Sequence, residues 1–77
     1  MLSMNWQAYI ESNPEIMFGK PVIKGTRIPV ALILEKLGHG FSEADVLKAY
    51  PKLSLESIRA CLLYASENAT YEKLAAI

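Results

Sequence analysis

One stretch, Gly19-Lys20-Pro21-Val22-Ile23-Lys24-Gly25-Thr26-Arg27-Ile28-Pro29-Val30, limits what this chain can fold into more than any other. It holds two glycines, two prolines, three cations and no acid. Proline fixes φ and removes a backbone donor, so Pro21 and Pro29 each mark a strand edge or the start of an element. Gly25 stands where the chain can reverse at positive φ with little steric cost. Val22-Ile23 and Arg27-Ile28 are β-favouring pairs on either side of Lys24-Gly25-Thr26. The pattern predicts a short hairpin that displays Lys24 and Arg27 at its rim and Lys20 at its base. It divides a loosely structured leader from a helix-rich remainder.

With 77 residues the chain makes one domain, and a domain this small buries only about 60% of the surface its unfolded form exposes. Yet 52% of its residues are hydrophobic and the mean hydropathy is +0.18. That is more apolar material than a small body hides, which points to a homodimer or an obligate protein partner. Formal net charge is zero, so no global field draws in nucleic acid. The charge is unevenly placed: the only charged residues of 19–27 are Lys20, Lys24 and Arg27, whereas the leader carries Glu11 and Glu15. A polyanion contact would therefore be local to the hairpin. A single cysteine, Cys61, excludes an intramolecular disulfide and fits a reducing compartment. The first residues lack a basic segment followed by an apolar core, and no apolar run approaches the ~20 residues of a membrane span. The expectation is a cytoplasmic protein with no membrane partner.

Three helices follow the hairpin. The first begins at Pro29, a residue suited to the N1 position. Val30, Ile33, Leu34 and Leu37 give it one apolar stripe, and Gly38 is expected as its C′ residue. The second opens with Ser42 as N-cap and Asp45 three residues on, close to a capping box. Phe41 is placed to staple against Val46, and Tyr50-Pro51 closes the helix after about two turns. The third repeats the device, with Leu53 before the cap, Ser54 as the cap and Ile58 as its staple partner. Its expected inward face is Leu55, Ile58, Leu62, Ala65 and Ala69. Glu56, Arg59, Leu63 and Glu67 form the outward face, and Tyr64 lies on the flank. Around Asn68-Ala69-Thr70 the helix either runs on or recaps a final segment, Tyr71–Ile77. The expected division is a leader over 1–15, a hairpin over 16–28, a three-helix core over 29–69 and a tail or helix over 70–77. Two helices joined by the Pro51–Ser54 turn, with a third before them, is the plan of a helix-turn-helix trihelical domain; an ordinary small bundle uses the same connection.

The chemistry-bearing residues point away from catalysis. Lys24-Gly25-Thr26 has the wrong order for a phosphate-binding loop, which needs Gly-Lys-Ser/Thr at a helix start. His39 lies between two glycines, and no further ligands stand at metal-binding spacing around it. Cys61 has no histidine in its half of the chain to activate it. No enzyme, no metal, no cofactor and no small-molecule substrate is expected. Lys20, Lys24, Thr26 and Arg27 are candidate phosphate contacts, as a wing would supply them. They serve equally as a solvated hairpin edge or as a dock for an acidic protein surface. A helix that reads bases would offer Arg, Lys, Asn or Gln to them. The third helix offers instead an acidic and partly apolar face. Leu63 and Tyr64 fit a protein contact better, unless the helix is rotated so that they fill the core.

The run Gly19–Val30 resembles the signature of the small bacterial domain-of-unknown-function family 433. Asn13-Pro14-Glu15-Ile16 precedes it and Ile33-Leu34-Glu35-Lys36-Leu37 follows. The likeness continues through Phe41–Leu47 and Tyr50–Ser54 to about Glu67, most of the chain. The resemblance implies a mainly α fold, homeodomain-like or winged-helix-like. It also implies an antitoxin that neutralises a PIN-like ribonuclease toxin. On that reading Tyr71, Leu74 and Ile77 recur at helical spacing on an insert that wraps the partner, and Lys73 reaches an acidic active site. The alternative is a dimeric helix-turn-helix regulator that binds DNA. The two coexist if the antitoxin also represses its own operon.

Overall fold

The computed structural model describes the backbone of residues 5–76 and the side chains of residues 5–69. The apolar stripe of the first helix meets expectation. Helix α1 (Val30–Gly38) turns Val30 and Ile33 fully inward, and Leu34 and Leu37 pack half-buried against them. Its ends lie slightly elsewhere than predicted. Pro29 stands one position outside the helix as its extended N-cap and bridges to Val22. At the other end Gly38 remains helical, and Gly40 takes the left-handed conformation at φ +98°. Gly40 N–H donates to the Leu37 carbonyl and Phe41 N–H to that of Lys36, both at 3.1 Å. Those two bonds close a Schellman motif, which needs its left-handed residue two positions later than expected.

The caps of the next two helices form as the sequence predicts. In α2 (Glu43–Ala49), Asp45 N–H donates to Ser42 Oγ at 3.0 Å and Ser42 N–H donates to Asp45 Oδ2 at 2.9 Å. The Ser42 backbone N–H, and then its hydroxyl, hold the Asp45 carboxyl below its ordinary range. The cap is therefore intact above the ordinary carboxylate range and weakens as falling pH protonates Asp45. Phe41 is left exposed with Lys36 Nζ 4.9 Å above its ring, a cation–π contact that ties the two helices at the surface. Helix α3 (Leu55–Ala76) is a single helix that includes the segment expected either to continue or to recap. Ser57 N–H donates to Ser54 Oγ at 3.1 Å, and the two hydroxyls lie 3.0 Å apart. Ser57 thus takes the reciprocal role of an acidic residue in a capping box.

The expected inward face of α3 needs correction. The buried residues are Ser57, Ile58, Ala60 and Cys61; Leu55, Tyr64 and Ala65 are half-buried, while Leu62 is 44% exposed and Ala69 lies at the surface. The helix is thus turned so that the short side chains of Ala60 and Cys61 face the interior, where they permit close packing. Leu62 then points away from the body.

From Asn5 onward the leader supplies the rest of the cover, so this part of it is not loosely structured. Asn5 caps a turn of 3-10 helix over Trp6–Ala8. Strand β1 (Ile10–Glu11) pairs antiparallel with β2 (Val22–Ile23), in the register Ile10 to Ile23 and Glu11 to Val22. The two-stranded antiparallel pair ahead of three helices is as expected, but the principal partner of Val22-Ile23 comes from the leader. Arg27-Ile28 returns beside β2 only through the Ile23 N–H to Ile28 carbonyl bond at 3.0 Å and the Val22–Pro29 bridge. Pro29 has no N–H to extend the pairing further. Gly25, at φ +78°, makes the predicted turn. Trp6 meets Tyr64 edge to face, with centroids 5.1 Å apart, and its Nε1–H donates to the Glu67 carboxylate. Ile10, Ile23, Val30, Ile33, Val46, Ile58 and Cys61 join in one core.

Because β1 belongs to that core, Ile10→Ala is expected to destabilise the domain by about 2–4 kcal/mol. Urea denaturation followed by circular dichroism measures it; a midpoint unchanged from wild type would mean that the leader contributes nothing.

Candidate protein-interaction surface

The predicted cationic residues do not form one patch. Arg27 lines a shallow depression of about 450 Å³ with Glu11, Ile16, Gly25, Thr26 and Lys52. Lys52 comes from the turn between α2 and α3, and the sequence reading missed it because only the tertiary fold brings that turn beside the hairpin. Glu11 places a carboxylate in the same depression and offsets part of the charge. Lys24 is exposed at the tip of the turn, where its backbone N–H donates to the Tyr9 carbonyl at 2.9 Å. Lys20 lines a different hollow, described below. The Thr26 hydroxyl is engaged inside the turn: it donates to the Ile23 carbonyl at 2.7 Å and accepts from Ile28 N–H at 3.0 Å. Its role there is to hold the reversal shut.

The outward side of α3 carries Glu56, Arg59, Leu62 and Leu63, all exposed. Leu63 is 39% exposed, and the helix rotation adds Leu62 beside it. Tyr64 is half-buried against Trp6, which places it at the margin of this surface rather than at its centre. Glu67 is exposed but is occupied by the Trp6 indole. The named contacts Tyr71, Lys73, Leu74 and Ile77 lie outside the residues whose side chains are described. Adjacent exposed leucines on one helix form an apolar patch flanked by Arg59 and Glu56, the composition of a contact surface.

A second exposed feature had no signal in hydropathy or periodicity. Pro14 opens a tight turn in which Ile16 N–H donates to the Asn13 carbonyl at 2.8 Å and Asn13 Oδ1 accepts from Glu15 N–H at 2.9 Å. Immediately after it, Met17, Phe18 and Gly19 all adopt positive φ, at 51°, 58° and 83°. Glycine takes this conformation readily, whereas for a bulky aromatic residue it is a backbone outlier. Phe18 is 95% exposed at the apex of the bend.

The family model for a protein of unknown function, DUF433, matches residues 10–65. That span takes in the strand pair, the Gly25 turn, α1, α2 and the packed half of α3. This chain belongs to the DUF433 family. A crystal structure of a DUF433 member protein from Anabaena variabilis has the same fold at a TM-score of 0.77 and 28% identity, over 92% of this chain and 71% of that one. An uncharacterized protein of Sinorhizobium fredii, y4eO, is 39% identical over 59 residues, or 77% of this chain and 27% of that protein. The chain thus spans about a quarter of the length of this curated relative.

In this DUF433 member the lone thiol belongs to the core rather than to the surface. Burial of Cys61 pushes its pKa up to about 11, because the thiolate loses hydration without gaining a charged partner. Among the described residues no helix is long and apolar enough to cross a membrane. The native protein is expected to resist a thiol-specific chromogenic reagent at neutral pH and to react fully once unfolded. Since the folded pKa is raised, the neutral thiol's contribution to stability is complete below the ordinary thiol range and is lost as pH rises through about 11. Fast labelling of the folded protein at neutral pH would show that the thiol is accessible after all.

Proposed function

We propose that this DUF433 chain is a protein-interaction module, an antitoxin whose α3 face docks on a PIN-like ribonuclease and blocks its active site. The observation that carries the reading is the exposed pair Leu62 and Leu63 on the outer face of α3, the position where a base-reading helix would present hydrogen-bonding side chains. Leucine reads no hydrogen-bond pattern, and Glu56 on the same face would oppose phosphate. The same leucines gain about 25 cal/mol for each Å² they remove from water on a protein partner. The partner's class is taken from the resemblance of the Gly19–Val30 signature to a family many of whose members look like antitoxins. The backbone of α3 runs on as helix to Ala76, which gives the length of chain an inhibitory insert would need. Occlusion is the mechanism proposed: the helix covers the nuclease cleft and Lys73 neutralises its metal-binding carboxylates.

Co-expression with any PIN-like ribonuclease found encoded beside this chain tests the reading. Wild type is expected to suppress toxicity and to co-purify with the nuclease. Leu62→Ser combined with Leu63→Ser is expected to weaken the complex by roughly 10–100-fold. Because both side chains are already exposed, the thermal midpoint of the free protein stays within a few degrees of wild type. Failure of the wild-type chain to bind or neutralise that nuclease would sink the proposal.

Arg27 and Lys52 on one depression favour a second reading, a helix-turn-helix regulator that contacts operator phosphates, alone or together with the toxin. It predicts retention of the chain's own promoter in a gel shift. Each phosphate-neutralising cation removed, by Arg27→Ala or Lys52→Ala, would then lower the salt slope by about one. Absence of promoter retention at low salt, with and without the nuclease, would overturn it.

A further inference from the structure

The left-handed bend at Met17-Phe18-Gly19 holds an aromatic ring out in water, although the chain has apolar surface that would receive it. Two or three residues further on begins a hollow of about 260 Å³ lined by Lys20, Pro21, Pro29, Ala31, Leu34 and Tyr64. Its walls are proline rings, aliphatic side chains and an aromatic ring, with a lysine at the mouth. A dry cavity of about 150 Å³ suffices for benzene, so this hollow has room for a phenyl ring. Lys20 can set its ammonium over an inserted ring, as Lys36 does over Phe41 within the chain. Tyr64 offers an edge-to-face neighbour. The hollow therefore has the chemistry of an aromatic-side-chain receptor. Phe18 is not among the residues that line it and is itself 95% exposed.

We infer that this protein forms a two-fold homodimer in which Phe18 of each copy occupies the Lys20–Pro21–Ala31–Leu34–Tyr64 hollow of the other. Knob and hole lie side by side, separated by no more than about three residues of extended chain or roughly 10 Å. A two-fold axis passing between them satisfies both contacts at once, as an isologous interface requires. Each ring buries on the order of 150–200 Å², and the two exchanged rings form the desolvated centre around which Met17 and the neighbouring prolines close. The positive φ values at Met17 and Phe18 gain a physical reason: they aim the ring outward, where a relaxed extended backbone would lay it along the body. A second copy is the occupant because the same chain supplies both halves of the contact, with Phe18 two residues from Lys20 at the hollow. The surplus of apolar residues requires cover of this kind.

The inference is independent of the antitoxin reading and is tested on the purified full chain with no nuclease present. Sedimentation equilibrium is expected to show a dimer with a dissociation constant in the micromolar range or tighter. Phe18→Ala removes the knob, and Ala31→Glu places a charge in the hole. Each is expected to weaken dimerisation by at least about thirtyfold. Both positions are exposed, and a glutamate in the first turn of α1 suits the helix dipole, so far-UV circular dichroism should match wild type in each variant. A wild-type chain that remains monomeric at about 100 μM, or a dimer that survives in either folded variant, overturns the inference. A dimer that survives both variants would place the interface on another face, such as the exposed leucines of α3.

Discussion

The closeness of α3 to α1 is the constraint on which the rest of the structure depends. Ala60 and Cys61 carry small side chains and are fully buried, as are Ile33 of α1 and Ile58 of α3 where the two helices pack. Larger residues there would hold them apart and leave those two isoleucines facing a void, which costs free energy through lost dispersion contacts. That approach sets the rotation of α3 about its axis. Once it is set, Tyr64 turns toward Trp6, and Leu62 and Leu63 turn toward solvent.

A chain of this size has few ways to cover the flank that such a rotation opens. It uses the leader: Trp6 lies against Tyr64, the Trp6 indole is satisfied by Glu67, and Ile10 enters the core beside Ile23. The strand pair that results is only two residues long on each side. It would not persist alone in water, so its stability derives from the apolar face it lays on the helices. The prolines and the Gly25 turn then limit how far the sheet can grow.

The exposed features divide into two kinds. Arg27 and Lys52 are long, hydrated cations at the rim of a shallow depression, where burial is slight and charge is screened within about 10 Å. Leu62, Leu63 and Phe18 are apolar groups held in water, and their exposure costs hydration free energy. The second kind is the stronger pointer to macromolecular contact. Its two parts belong to different elements, α3 and the Asn13–Lys20 bend.

What the amino-acid sequence determined by itself was local. The Ser42–Asp45 box, the Ser54 cap, the Gly25 reversal, the Tyr50-Pro51 stop and the apolar stripe of α1 all follow from interactions within a few residues. Their geometry is set by chirality, ring closure and short hydrogen bonds. The family signature over Gly19–Val30 was legible for the same reason, since it is contiguous. Tertiary structure alone decided the rest. Periodicity assigned Leu62 to the core because leucine is more apolar than Ala60 or Cys61, whereas packing chose the smaller residues so that the helices could meet. Nothing near Ile10 in the chain announces Ile23 as its partner, nothing near Arg27 announces Lys52, and no local rule puts Phe18 into left-handed backbone with its ring in water. Those arrangements depend on contacts between residues distant in sequence, whose free energy exists only once the chain has closed on itself.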